Sequence, residues 1–435
     1  MSNNSYLVWL LSGLLACGAD NKVNTAENLN DSTTAAFTDS SSVQMEQSGE
    51  LILPKGFKAN VAIDEVGSNR HISVNTNGDI YVKLDRLKGG KGIVVLRDAD
   101  KDGKYETLKS FGDYAGTGIA IKNGYLYASS NTDVYRYRIS NYEVSETPER
   151  IITGLVSRGT HASKSIALDN AGTIYVNIGA PSNACQVVDR SEGSPGQDPC
   201  PILDKAGGIW QFQTDKKDQS YSQGTRYATG LRNVVGLDWN VQDNNLYAMQ
   251  HGRDQLNVVK PGNYSDQENA ELPAEEFFLI KKGGDYGWPY CYYDGIQKKK
   301  VLSPEYGGDG NKQDRCSGKE QPLFAFPAHW APNAVLFYTG NMFPAKYRNG
   351  VFIAFHGSWN RAPLKQGGFN VVFLPFHNGR PTGNYEIFAE GFTGTSGPVN
   401  GPNQAKYRPC GLAQGPDGSL YISDSKKGRI WKITY

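Results

Sequence analysis

Charge of either sign has no surplus in this chain of 435 residues: 45 Lys and Arg stand against 44 Asp and Glu, a net +1. Nothing in that balance points to nucleic acid or an anionic membrane surface as a partner. No Cys-x-x-Cys-His stretch exists, which removes covalent haem, and the cysteines have no zinc-ligand spacing. No Gly-x-Gly-x-x-Gly follows a strand, which argues against a nicotinamide cofactor. Long 3.6-residue periodicity is missing too, so the chain does not read as helical. The first apolar run, Leu7-Val8-Trp9-Leu10-Leu11, falls well short of the roughly 20 residues that a membrane span needs.

That run is nevertheless an export signal. It is followed by Leu14-Leu15-Ala16-Cys17, a cleavage site similar to those of bacterial lipoproteins, in which the cysteine becomes lipidated. Residues 1–17 are therefore expected to be a lipoprotein-type signal peptide ending at Cys17. It departs from pattern in lacking Lys or Arg before the apolar core, and an ordinary signal peptide with an incidental Cys17 is the alternative. Residues 18–48, rich in Asn, Ser, Thr and Ala, bury too little to fold and read as a tether. The expected product is an exported lipoprotein facing the periplasm or cell surface, attached to membrane only through lipid.

From Gly49 onward one phrase recurs six times. Its copies are Asn77-Gly78-Asp79-Ile80-Tyr81, Asn123-Gly124-Tyr125-Leu126-Tyr127, Ala171-Gly172-Thr173-Ile174-Tyr175, Asn244-Asn245-Leu246-Tyr247, Asn349-Gly350-Val351-Phe352 and Asp417-Gly418-Ser419-Leu420-Tyr421. Asn-Gly and Asp-Gly supply the positive φ of a tight hairpin turn, and the β-branched or aromatic run that follows suits a strand. Six such units predict an all-β, six-bladed β-propeller over residues 49–435, with roughly 64 residues per blade.

In a hairpin, the residues before the first strand and after the second share one end of the sheet. Before the strands stand Arg70 and His71, His161 and Lys164, Arg232 and Asn233, Asn333, then Lys406 and Arg408. After the returning strands stand Lys83, Gln250-His251-Gly252-Arg253-Asp254, His356-Gly357-Ser358-Trp359-Asn360-Arg361 and Asp424; the second unit offers only Thr117 and Asn131. These groups are expected on one face of the disk, where they suit an anionic, hydrogen-bond-rich ligand. His161 is the candidate base because imidazole titrates near neutrality. Trp330, Tyr338 and Trp359 are candidates to stack on a flat ring. Cys185 with Cys200 and Cys291 with Cys316 are plausible disulfides, leaving Cys410 as a buried thiol. Asp98-Ala99-Asp100-Lys101-Asp102-Gly103 starts like a calcium loop, but Lys109 stands where the twelfth-position Glu belongs, and an acidic surface turn is the better reading.

The runs Gly230-Leu231-Arg232-Asn233, Gln250-His251-Gly252-Arg253-Asp254, Asp285-Tyr286-Gly287-Trp288-Pro289, His356-Gly357-Ser358-Trp359-Asn360-Arg361 and Pro416-Asp417-Gly418-Ser419-Leu420-Tyr421 together resemble the glucose/L-sorbosone dehydrogenase family, nearest its sorbosone and pyranose dehydrogenase branch. The resemblance implies a propeller that binds pyrroloquinoline quinone (PQQ) and calcium and oxidises a sugar or sugar-derived aldehyde, passing electrons to a separate carrier such as a cytochrome or quinone. It implies His161 and Arg232 as catalytic residues. It implies Arg70, Lys164, Arg232, Asn233, His356, Trp359, Asn360, Arg361 and Arg408 around the cofactor, and Gly252 and Arg253, through their backbone carbonyls, with Asp254 at the metal. One position departs: the family's glucose branch has an aspartate after its Ile-Gly pair to orient the histidine, whereas Ile178-Gly179 is followed here by Ala180. A calcium-dependent propeller hydrolase of the lactonase type, and a non-catalytic binding propeller, are the alternatives.

Overall fold

The computed structural model describes residues 44–435. The expected signal peptide, Cys17 and most of the tether lie outside the described residues.

The recurring phrase does what its chemistry demands. In all six copies it joins the innermost of four antiparallel strands to the second; in blades 2 and 3 a short parallel strand, Gln219–Ser220 and Gly284–Asp285, extends the outer edge. Blade 1 is Asn69–Val74, Ile80–Lys88, Lys91–Arg97 and Glu106–Phe111; blade 2 is Ile119–Lys122, Tyr125–Ser129, Val134–Ser140 and Glu149–Thr153. Blade 3 is Ile166–Leu168, Thr173–Ile178, Gly208–Gln213 and Thr225–Thr229, and blade 4 is Leu237–Asn240, Asn245–Gln250, Glu275–Ile280 and Phe324–Phe326. Blade 5 is Pro332–Phe337, Val351–Phe355, Asn370–Leu374 and Glu386–Ala389. Blade 6 mixes the chain's two ends: Pro409–Gln414, Leu420–Asp424 and Ile430–Thr434 are completed by Lys58–Ile63, with Lys58 opposite Thr434 and Val61 opposite Trp431. Closing the ring with backbone hydrogen bonds removes the free edge that an open array would leave.

The turns differ in length. Only blade 2 has the two-residue form, with Lys122 opposite Tyr125 and positive φ at Asn123 (49°) and Gly124 (75°). In blade 5 the connection runs from Phe337 to Val351. There Gly350 is needed for space, because a Cβ would lie 2.1 Å from the Phe373 ring.

Alternation along the strands sends large apolar residues between neighbouring blades, and six clusters fill the six gaps. The cluster between blades 5 and 6 takes in Tyr338, Phe352, Phe388 and Trp431. Tyr338, a stacking candidate from sequence, is thus core, and its hydroxyl donates to the Gly418 carbonyl at 2.5 Å. Trp330 packs edge-on against Phe355 and likewise lies off the channel mouth.

Both expected disulfides form, Cys185–Cys200 and Cys291–Cys316, and Cys410 is a buried free thiol. The tether boundary needs correction. Met45–Ser48 is a strand paired with Leu51–Pro54 through a turn at Gly49 (φ 60°), held further by the Ala59 amide on Ser48 Oγ. Polar composition hid it, because an edge hairpin needs only one covered face. The Asp98, Asp100 and Asp102 carboxylates do cluster, yet they cap their own turn, accepting from the Gly103, Asp102 and Lys104 amides.

Candidate active site

At the end of the ring where the inner strands begin, a cavity of about 390 Å³ opens. Its wall draws from every blade: Arg70 and Asp85 from blade 1, Asn131 from blade 2, and His161 and Ser163 from the entry to blade 3. Arg232, Asn233, His251, Gly252, Asp254 and Glu275 come from blade 4 and its flanks, Asn333, His356 and Trp359 from blade 5, and Arg408 from blade 6. Further along the same inner strands the channel is lined by aliphatic side chains such as Ile72, Ile119, Ile166 and Leu412 together with His71, Lys122 and Asp238. The polar end is the one that the hairpin argument predicted.

Arg232 is the best-held group. It is only 3% exposed, yet its guanidinium finds oxygen in every direction. Nη1 donates to the Gly252 carbonyl at 2.8 Å, Nη2 to Asp254 Oδ2 at 2.8 Å and Asn183 Oδ1 at 3.0 Å, and Nε to the Asn183 carbonyl at 3.2 Å. Burial alone would push the Asp254 carboxyl up; the Arg232 charge and its neighbours instead hold it at about 2. Below Arg232 the polar chain continues. Its backbone amide donates to Gln250, Gln250 donates to Glu276 at 2.8 Å, and Glu276 pairs with Lys300 at 2.6 Å.

Arg70 and Arg408 differ from Arg232 in having no carboxylate within ion-pair distance among the described residues. Arg70 rests on two hydroxyls, Thr117 Oγ1 at 3.2 Å and Ser163 Oγ at 3.4 Å. Arg408 rests on the carbonyls of His356 (2.9 Å) and Gly357 (2.7 Å), and burial pushes it down to about 10. Two guanidinium groups facing one cavity without counterions are a site for an anion.

His161 lies at the entry to blade 3 with φ 61°. Its Nδ1 lies 2.6 Å from the Ala180 carbonyl, the very residue that stands where an orienting aspartate was missed. A backbone carbonyl accepts only from a protonated Nδ1, so Nε2 carries the lone pair. Burial, then the Arg232 charge, pushes the imidazole down to about 3, so it is neutral. Gly179 makes room for the arrangement: a Cβ there would lie 2.7 Å from the His161 carbonyl and 3.0 Å from Asn233 Oδ1. That buried Oδ1 has no hydrogen-bond partner among the described residues.

Several residues expected here lie elsewhere. Lys164 is fully buried beneath the floor; its Nζ donates to the Ala162 carbonyl at 2.5 Å, and burial pushes it down to about 7. Both residues lie in the irregular segment that precedes the Ile166–Leu168 strand, where Ser163 still lines the cavity and Lys164 turns back under Ala162. Asn360 turns inward to His329 at 3.3 Å, and Arg361 donates to the Ala270 and Lys365 carbonyls. Arg253 runs away from the cavity into a buried pair with Glu305 at 2.5 Å. His356 and Trp359 do line the cavity as expected; His356 Nε2 lies 2.6 Å from Ser425 Oγ.

The metal reading also fails on its donor set. The Gly252 carbonyl already accepts from Arg232, and the Asp254 carboxylate is shared between Arg232 and Arg190, the latter at 3.0 Å. A divalent ion on these oxygens would lie against two guanidinium groups, and calcium wants several oxygens free of such competition. The Gly252 carbonyl and the Asp254 carboxylate as arranged do not fit calcium; the fixed positive charge at this spot is Arg232.

Sequence reasoning missed Asn183, Glu275 and His329. Glu275 accepts from the Gly252 and Ala331 amides at 2.8 and 3.0 Å, and burial pushes it up to about 8. Glu275 opens a third strand and the others sit in connections, so the repeated phrase gives no signal for them.

A six-bladed propeller with a histidine beside unpaired arginines at its channel mouth defines the structural class. The chain belongs to the TrAA12-like family, which it matches over residues 51–435. It is 25% identical over 421 residues to an uncharacterised protein of Borreliella burgdorferi, covering 93% of this chain and 96% of that one. It is 21% identical to a pyrroloquinoline quinone-dependent pyranose dehydrogenase of Coprinopsis cinerea, covering 88% of this chain but only 54% of that protein. The holo form of the PQQ domain of pyranose dehydrogenase from Coprinopsis cinerea superposes with a TM-score of 0.71 at 18% identity, covering 91% of this chain and 98% of that structure. A Trichoderma reesei structure of carbohydrate-active enzyme family AA12 gives the same TM-score at 19% identity, with 89% and 99% coverage.

Proposed function

We propose that this protein is a PQQ-dependent dehydrogenase that oxidises a sugar or a sugar-derived aldehyde. The observation that carries the reading is the pair of counterion-free guanidinium groups, Arg70 and Arg408, facing one cavity with Arg232. PQQ carries three carboxylates and two quinone oxygens on a flat ring, and this donor set matches that chemistry. When bound, PQQ supplies the two-electron acceptor that the chain's own side chains lack.

The protein's part is to bind, orient and move a proton. Arg70 and Arg408 hold carboxylates. Arg232 stays fixed by Asp254 and Asn183 and offers its charge at the cavity floor. His161 is kept in one tautomer by the Ala180 carbonyl, so Nε2 can take the proton of a substrate hydroxyl. Anionic carboxylates entering the cavity offset the Arg232 charge that depresses the imidazole, and so make it a better base. Calcium takes no part in this reading, because the Gly252 carbonyl and the Asp254 carboxylate, two of the groups expected to hold it, are engaged by Arg232. A lactonase-type hydrolase needs several carboxylates free at the mouth; here Asp254 is tied between two arginines and Glu275 accepts from two backbone amides, which leaves Asp85.

Reduction of an artificial dye on adding PQQ and an aldose to the purified protein tests the proposal; no turnover with any aldose or sugar aldehyde, despite bound PQQ, would overturn it. We further propose that electrons leave to a separate carrier and that Cys17 anchors the protein through lipid. Fractionation of the full-length chain beside Cys17→Ser tests the anchor. Equal release of both into the soluble fraction would reject it.

A further inference from the structure

The loop closed by Cys185–Cys200 is pinned from within. The Gln186 amide donates to the Ser191 and Ser194 carbonyls at 3.0 and 3.1 Å, and its oxygen accepts from the Arg190 amide at 2.8 Å. Asp189 Oδ1 accepts from Ser182 Oγ and the Asn183 amide at 2.8 and 3.0 Å. Arg190 itself is held at φ 59°, a left-handed conformation that non-glycine residues avoid unless their surroundings impose it. What the imposed backbone delivers is a guanidinium. Nη1 donates to Gln255 Oε1 at 2.7 Å and Nη2 to Asp254 Oδ2 at 3.0 Å, and the group lies 5.9 Å from the centre of the Trp359 ring. Asp254 Oδ2 is the same atom that anchors Arg232. Trp359 comes from blade 5, lines the cavity and is 49% exposed.

We propose that Arg190 is a positioning residue: the disulfide-closed loop of blade 3 inserts it between Asp254 and Trp359, fixing at once the carboxylate that anchors Arg232 and the indole at the cavity mouth. Arg190 does not line the cavity and touches no ligand; it acts through those two neighbours. The disulfide makes the placement conditional, because an open loop would not hold a strained backbone against its entropy. The consequence for cofactor and sugar rests on the function proposed above, whereas the placement of Trp359 does not.

The test uses the full chain and the variants Arg190→Met, Arg190→Lys and Cys185→Ser/Cys200→Ser, each checked for native circular dichroism. In cofactor-free protein, the emission of Trp359 is read as the difference from the matching Trp359→Phe background. Arg190→Met should change that emission, and the cysteine variant should change it in the same direction. Arg190→Lys, which can keep the Asp254 contact but not the fork to Gln255, should fall between. In PQQ titrations Arg190→Met should weaken affinity by about tenfold, the worth of one charge-assisted hydrogen bond. The KM for the sugar should rise more than kcat falls. Unchanged Trp359 emission with PQQ affinity within about twofold of wild type would overturn the proposal. If no variant, wild type included, binds PQQ, the proposed function fails, and the emission comparison alone still decides the role of Arg190. If the cysteine variant does not fold, Arg190→Met decides it.

Discussion

Removing Arg232 should do two separable kinds of damage. Its guanidinium is the main partner of Asp254, whose carboxyl sits at about 2 against an ordinary 3.8. That difference corresponds to about 2–3 kcal/mol of differential interaction. Arg232→Met leaves the buried carboxylate with Arg190 and the nearby His329 ring, and breaking a buried pair on one side costs about 3–5 kcal/mol. Arg232→Met/Asp254→Leu removes the stranded charge as well and should recover most of the stability while still failing to bind PQQ. Urea unfolding at pH 7 reads the stability, and titration with PQQ reads the binding. Because the folded pKa of Asp254 is depressed, its contribution is present above about 3.8 and lost as pH falls toward 2. The wild type should therefore lose stability across that window, and Arg232→Met should show a shallower loss. A single variant destabilised by less than about 1 kcal/mol, or a double variant no more stable than the single, would refute the reasoning.

Other perturbations isolate other parts of the site. His161→Ala should keep PQQ affinity and slow turnover by roughly 10²–10⁴-fold, the usual worth of a general base; near-normal turnover at saturating sugar would move the base elsewhere, with His356 next. Gly179→Ala, with circular dichroism unchanged, should impair both PQQ binding and turnover, because the added Cβ pushes His161 and Asn233 apart; wild-type kinetics would show that the contact relaxes freely. Glu275 is held at about 8 by burial, so its contribution is full below its ordinary 4.5 and is lost as pH rises through 8. Unfolding free energy should fall across that range and fall less in Glu275→Gln, and equal slopes in the two proteins would contradict the assignment.

The repeat was legible because each blade needs the same unusual backbone at the same place, and few residue types supply it. The site's location followed from hairpin geometry alone, which is why Arg70, His161, Arg232, Asn233, His356, Trp359 and Arg408 all reach the cavity. What stayed hidden was direction. Lys164 and Ser163 are neighbours in the irregular segment entering blade 3, and only the fold of that segment shows that the hydroxyl faces the cavity while the amine is buried. The partner of His161 was invisible because it is a backbone carbonyl, which every residue has; looking for an aspartate at Ala180 found the right position and the wrong atom. The calcium reading failed for a related reason. Gly252 does present its carbonyl, but sequence could not reveal that Arg232 had already reached it. Closure of blade 6 by Lys58–Ile63 was likewise unreadable, because that strand carries no copy of the repeated phrase.

The central claim is that counterion-free arginines at the channel mouth hold a polycarboxylate cofactor. Titration of PQQ into cofactor-free protein in the presence of EDTA, for wild type and for Arg70→Ala/Arg408→Ala, tests it most directly. The account predicts saturable one-to-one binding by the wild type without added metal. It predicts loss of at least about 100-fold in affinity for the double variant, about 1.5 kcal/mol for each charge-assisted contact removed. Equal affinity in the two proteins, or no binding by the wild type until a divalent cation is restored, would contradict it.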